Sequence, residues 1–139
     1  MKLAGLVLIA APFAFADSAA EAWDVIATMA AALAEPNDAG FMKPIAKSFA
    51  QHDLVERNVR ALVQTCDVVS SISALANEGD DKQRTMEVDW YLEIQPRSAG
   101  AAVVQRREAV RLTLTKTGKR WMVTALEPVG FFTPVAAVN

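Results

Sequence analysis

The chain has 139 residues and a formal net charge of -2, with 53% hydrophobic and 22% charged residues. That length suits one domain with its own core, and the composition excludes a disordered chain. It also speaks against nucleic acid as the main partner, since phosphate binding needs a concentrated Lys/Arg surface. The single cysteine, Cys66, excludes an intrachain disulfide.

Residues 1–16 read as a signal peptide. Met1-Lys2 supplies a charged start, Leu3 to Phe15 is apolar and uncharged, and Ala14-Phe15-Ala16 gives a small-x-small cleavage pattern before Asp17. The apolar run is well short of the roughly 20 residues a spanning helix needs, and Pro12 disfavours a stable helix there. No cysteine lies near the cleavage site to carry a lipid. The expected product is exported, periplasmic or secreted, with no stable membrane insertion after cleavage.

The first predicted helix begins at Ala19. Ser18 stands as N-cap with Glu21 three residues on, a capping-box spacing. Trp23, Ile26, Ala27, Ala30, Leu33 and Ala34 fall on one helical face, and Asp24 and Thr28 fall away from it. Glu35-Pro36 ends the helix. Asn37-Asp38 can cap a short second helix around Ala39 to Met42. A third, about Phe49 to Val63, has Leu54, Val55, Val59, Leu62 and Val63 on its apolar side.

Four strands follow. Asp67 to Asn77 places Val68, Ser70, Ile72, Ala74 and Ala76 on one side, and Glu78 to Asp81 makes a turn. The second strand alternates Val88, Trp90, Leu92 and Ile94 against Glu87, Asp89, Tyr91 and Glu93. In the third, Val103 to Thr117, Val110, Leu112 and Leu114 are in phase. A turn centred near Ala99 sets Glu93 against Gln105, Tyr91 against Arg107 and Glu87 against Arg111 on an outer face. The same register sets Arg106 beside Leu92 and Glu108 beside Trp90, on the apolar side. Either these two charges serve an open cavity, or a bulge turns them outward. Gly118 turns the chain into Arg120 to Leu126, where Trp121 and Val123 share a face. Phe131-Phe132 can fold back over one end of the core, and 133–139 reads as a loose tail.

A long helix, two short ones and an antiparallel sheet ending in Gly118-Lys119-Arg120-Trp121-Met122-Val123 resembles the nuclear transport factor 2-like, or SnoaL-like, superfamily. Trp23, Asp89-Trp90-Tyr91-Leu92 and Phe131-Phe132 carry the rest of the resemblance, which spans about Ala19 to Phe132. It implies an α+β fold over 17–132, with helices packed on the concave face of a strongly curved antiparallel sheet: a cystatin-like cone with a pocket at one end. Members of the superfamily include cyclases, isomerases, dehydratases, transport adaptors and accessory domains, so the fold does not select a function.

The expected pocket wall is Val88, Trp90, Leu92, Leu112 and Trp121, with Arg106 and Glu108 at its mouth. An isomerase or cyclase of this shape needs a base and an enolate-stabilising donor in that pocket. The candidates are His52, Asp53 and Glu108, though Gln51-His52-Asp53 reads equally as a polar first turn of the third helix. Tyr91 and Asp89 fall on the outer face. One His and one Cys do not make a metal set of the usual types. No phosphate loop or serine nucleophile elbow is present, and no cofactor is expected. Cys66 reads as a buried, inert thiol. The sequence favours an exported, non-catalytic domain that binds a small apolar molecule or a partner protein. A small enzyme using His52, Asp53 or Glu108 is the alternative. The charged outer face allows a weak homodimer.

Overall fold

The computed structural model describes the backbone of residues 2–136 and the side chains of residues 17–136. Helix α1 spans Lys2–Ala34, α2 Asp38–Met42 and α3 His52–Thr65. Strands β1 Cys66–Gly79, β2 Gln83–Pro96, β3 Val104–Thr117 and β4 Arg120–Glu127 follow, and a 3-10 turn over Val129–Phe132 closes the chain. The strands form one curved antiparallel sheet in the order β1-β2-β3-β4, a plain meander. The expected α+β architecture is therefore present.

Helix α1 does not begin at Ala19. It runs unbroken through Ser18, which is buried within the helix and not at its start, and Glu21 pairs with Trp121 and Lys116. The expected leader and its cleavage after Ala16 lie on residues 1–16, whose side chains fall outside the described residues. Ala22, Ile26, Met29, Ala30 and Leu33 form the buried stripe, while Ala34 is exposed. Among the described residues, no helix is long and apolar enough to cross a membrane. Helix α2 is capped as expected, with the Asn37 side chain accepting from the Gly40 N–H at 2.9 Å.

Helix α3 buries Val55, Val59, Leu62 and Val63. Its C-terminal carbonyls are met by Arg97, which donates to Gln64 O (2.7 Å), Val63 O (3.2 Å) and Cys66 O (3.1 Å) from the β2–β3 turn. A cation at this end also suits the helix dipole.

The β2–β3 register is the expected one, with Glu93 opposite Gln105, Tyr91 opposite Arg107 and Glu87 opposite Arg111. Strand β2 alternates strictly, and Met86, Val88, Trp90, Leu92 and Ile94 are all fully buried. Bulges fall elsewhere: at Leu75 in β1, and in β4 where Thr113 faces Ala125 but Leu114 faces Val123. The β4 bulge skips Thr124 and returns Leu126 to the core, which explains its break in the alternation. The outer edge of β4 is covered by the segment after α2. Ile45 bridges to Val123, Ala46 N–H donates to Val123 O (2.8 Å), and Val123 N–H donates to Pro44 O (2.8 Å). Covering an edge strand removes a template for pairing with other chains. At the opposite end, the β1–β2 hairpin needs Gly79 at φ 136, where an added Cβ would meet Gln83 O at 2.2 Å.

The tail is held at its beginning. Phe131 and Phe132 are buried, Val135 packs partly on the core, and residues 137–139 lie outside the described residues.

Candidate functional site

The expected pocket wall is a filled core. Val88, Trp90, Leu92 and Leu112 are fully buried. Three rings close on Trp90: Phe132 at 5.0 Å between centroids, edge-on, and Phe41 and Phe131 each at 6.4 Å. The indole N–H donates to Ser70 Oγ at 3.0 Å, which answers its one polar group. Phe41 comes from α2 and Phe131-Phe132 from the last turn, so α2 and the closing turn meet over β2. Tilted and edge-on pairs of this kind add about 0.5–1.5 kcal/mol each beyond burial.

The two charges in question separate. Pairing runs without a shift from Gln83 opposite Thr115 to Ile94 opposite Val104, so the bulge that could have turned Arg106 and Glu108 outward is absent. Arg106 is half-buried. It donates to Phe131 O (3.0 Å), Thr133 O and Pro134 O (3.3 Å), and so answers the carbonyls of the closing turn. Burial lowers the pKa of its guanidinium from the ordinary arginine value. Glu108, opposite Trp90 in the register, is exposed.

The enzyme candidates converge only in part. His52 Nδ1 lies 3.0 Å from Asp53 Oδ1, with side chains 12% and 86% exposed, so His52 is largely covered while Asp53 lies in water. Glu56, one turn on, completes a trio with ligand atoms within 4.8 Å of one another. Counting only His and Cys had missed this trio, which helical i, i+4 spacing brings together. It is the set of residues that could hold a cation. Glu56 also faces Arg60 at 3.8 Å, a positive charge that works against a metal ion. Glu108 is not part of the cluster. Tyr91 donates its hydroxyl to Glu93 (3.3 Å) on the outer face, and desolvation followed by the Glu93 charge raises its pKa. Asp89 grips Arg107 on that same face, at 3.2 and 3.1 Å.

One open feature is a cleft of about 490 Å³ between α1, the segment after α2 and the β3–β4 hairpin, and another, of about 580 Å³, lies between Gln51, Arg111, Glu127 and Val129. In the first, Trp121, 5% exposed and part of the core, shows only a small part of its surface in the wall, beside Val25 and Pro44. Gly118, at φ 63, turns the hairpin that carries Lys119 and Arg120 to the rim, and the Pro44–Val123 bonds fix the facing side. Trp121 Nε1–H donates to Glu21 Oε1 at 2.9 Å, and Lys116 Nζ reaches the same oxygen at 3.3 Å while lying 5.7 Å over the indole ring. The indole bond first, and Lys116 second, hold the Glu21 carboxyl below its ordinary pKa. An adjoining depression along α1 shares Asp24, Thr28 and Gly40. Trp121, foreseen as part of the concave wall, thus fronts a different opening.

Solved structures place this architecture. A conserved protein from Planctomyces limnophilus superposes with a TM-score of 0.67 at 10% identity, covering 75% of this chain and 88% of that one. A protein of unknown function with a cystatin-like fold from Nostoc punctiforme superposes with a TM-score of 0.55 at 16% identity, covering 76% and 85%. The fold is cystatin-like. No protein-family model matches the sequence, and no match to a curated protein is found. At these identities the likeness concerns the cystatin-like fold alone.

Two further arginines organise this cystatin-like frame and were not singled out from sequence. Arg84 is buried, donating to Asn77 Oδ1 (2.8 Å), Asn77 O (3.2 Å) and Asp80 O (3.2 Å), and Asn77 in turn donates to Ala19 O of α1 (3.1 Å). Its even position, in phase with Met86 and Val88, was the available signal. For Arg97, in an exposed turn far from α3 in sequence, there was none.

Proposed function

We propose that this chain is an exported, non-catalytic binding or accessory domain of the nuclear transport factor 2-like, SnoaL-like kind, and that it binds at the Trp121 cleft. The observation that carries this reading is the contrast between two tryptophans of the sheet. Trp90 is boxed in by Phe41, Phe131 and Phe132, whereas Trp121 borders about 490 Å³ of open space between apolar and charged walls. A volume in this range accommodates a small organic molecule. The exposure of Asp53 and Glu108, and the absence of Glu108 from the His52 cluster, argue against acid–base work in a shared cavity.

The test is native mass spectrometry of the protein expressed with its own N-terminus in a bacterial host. The expected result is a periplasmic product beginning at Asp17 that carries a co-purified small molecule. The molecule should be retained in Glu108→Gln and His52→Ala and lost in Trp121→Ala. Retention in Trp121→Ala together with loss in His52→Ala would transfer the site to α3 and revive the enzyme alternative.

A further inference from the structure

The charges around the Trp121 cleft define what it takes. This inference rests on the binding reading above. Two carboxylates line the cleft, Glu21 and Asp24, and three cations do: Lys43, Lys119 and Arg120. Glu21 is already answered by Lys116 and the Trp121 indole N–H. Among the described residues, Lys43, Lys119 and Arg120 enter no ion pair. Three unpaired cations therefore face one remaining carboxylate, Asp24, in a chain whose overall charge is negative. Such local excess of one sign beside a low-dielectric wall concentrates ligands of the opposite sign.

The cations also sit where they can act together. Lys119 stands in the tight turn after β3 and Arg120 opens β4, and Lys43 follows α2 directly before Pro44, whose carbonyl is bonded to Val123 N–H. Lys43 and the hairpin pair thus approach from different elements with the apolar surface of Trp121, Val25 and Pro44 as a shared wall. An arginine offers two parallel N–H donors to a planar carboxylate, and a lysine adds a point charge. The apolar wall has no polar group left to satisfy, because the single indole donor is committed to Glu21.

We infer that the cleft binds a small organic monoanion: an apolar body set against Val25, Pro44 and the exposed part of Trp121, carrying one carboxylate held by Arg120, Lys119 and Lys43. Glu21 is the positioning residue, fixing the indole through its N–H, and Asp24 disfavours a second negative charge on the ligand.

The experiment is titration of the 139-residue chain with 2-naphthoate, with its neutral isostere 2-naphthamide and with acetate, followed by the NMR resonance of the Trp121 indole N–H. Trp121→Phe assigns that resonance among the three tryptophans. The expected result is saturable movement of this resonance by naphthoate at least tenfold tighter than by naphthamide, weakening as salt is raised, with acetate binding too weakly to saturate. Lys119→Gln/Arg120→Gln, two exposed positions, should abolish the preference and leave the folded spectrum otherwise unchanged. Equal binding of naphthoate and naphthamide at Trp121 would overturn the anionic class and leave the binding reading standing. Naphthoate shifts confined to the Trp90 resonance would overturn the cleft as the site. Absence of binding by either naphthalene compound would overturn the inference, while a co-purified ligand of another class at Trp121 would show that the broader reading survives it.

Discussion

Trp90 and Trp121 stand in strands of one sheet, both on the apolar side, and both were read from sequence as wall residues of one pocket. The fold separates them. Trp90 lies in the second strand, under α2 and the closing turn, where three phenylalanine rings take up the space in front of it. Trp121 lies near the start of β4, an edge strand, where the first helix, Pro44 and Lys116 leave it 5% exposed at the border of the cleft. Their polar atoms tell the same story. The Trp90 N–H goes to a neutral hydroxyl, Ser70, and the Trp121 N–H to a carboxylate that water still reaches. A central strand covered by α2 and the closing turn gives a core, and an edge strand under partial cover gives a cleft.

The largest way to break this comparison is Trp90→Ala. Removing a fully buried tryptophan should cost about 3–5 kcal/mol, a large share of the roughly 5–15 kcal/mol that holds a domain together. Urea unfolding of Trp90→Ala and Trp121→Ala side by side checks it. Trp121→Ala should lose clearly less, because its vacated space opens to the cleft and water can enter. Equal losses would erase the distinction between core and cleft.

A smaller effect tests what keeps the Trp90 space filled. Arg106 donates to three carbonyls at residues 131, 133 and 134, so Arg106→Met removes their partner while keeping the stem. The expected cost is about 1–3 kcal/mol. Hydrogen exchange should rise over 129–134 while β2 stays protected. If 129–134 remains as protected as in the parent, Phe131 and Phe132 are held by packing alone.

Much of this frame was legible because strand parity is rigid. One residue of turn placement near Ala99 fixed every β2–β3 pair, down to Tyr91 opposite Arg107 and Glu108 opposite Trp90. Parity says which side a residue leaves from and nothing about what it meets. Arg106 and Glu108 share a side, yet one reaches the carbonyls of the closing turn and the other stays in water. The difference is made by residues 25 or more positions away in sequence. The same limit explains the outer face, where Arg107 lies over the ring of Tyr91 opposite it but takes its ion pair from Asp89, diagonal to it. Glu21 was misread for a related reason. Ser-x-x-Glu spacing is a local signal, and in this chain α1 runs through it, leaving the carboxylate for Trp121 on a strand 100 positions away. The cleft itself left no motif, since its residues come from three elements joined only by folding.

The smallest expected effect is confined to that carboxylate. Glu21 is held below the ordinary carboxyl pKa by the Trp121 N–H and by Lys116. Its ionised form is therefore favoured in the folded protein over the unfolded chain. The stabilisation is fully present above the ordinary glutamate value of about 4.3 and is lost as pH falls below it through the lowered folded value. Asp80 behaves in the same direction, because the backbone N–H groups of Gln83 and Lys82 hold its carboxylate in the β1–β2 turn. Global unfolding in acid would mix the two, so the measurement must be local. The Trp121 indole N–H resonance should move in one step below that value as Glu21 takes its proton, while the Trp90 indole N–H, bonded to Ser70, should stay still. Glu21→Gln should remove the Trp121 step and leave the Lys82 and Gln83 amide shifts that report Asp80. A Trp121 resonance that titrates unchanged in Glu21→Gln would mean the indole is sensing another group, and the polar half of the contrast between the two tryptophans would fall.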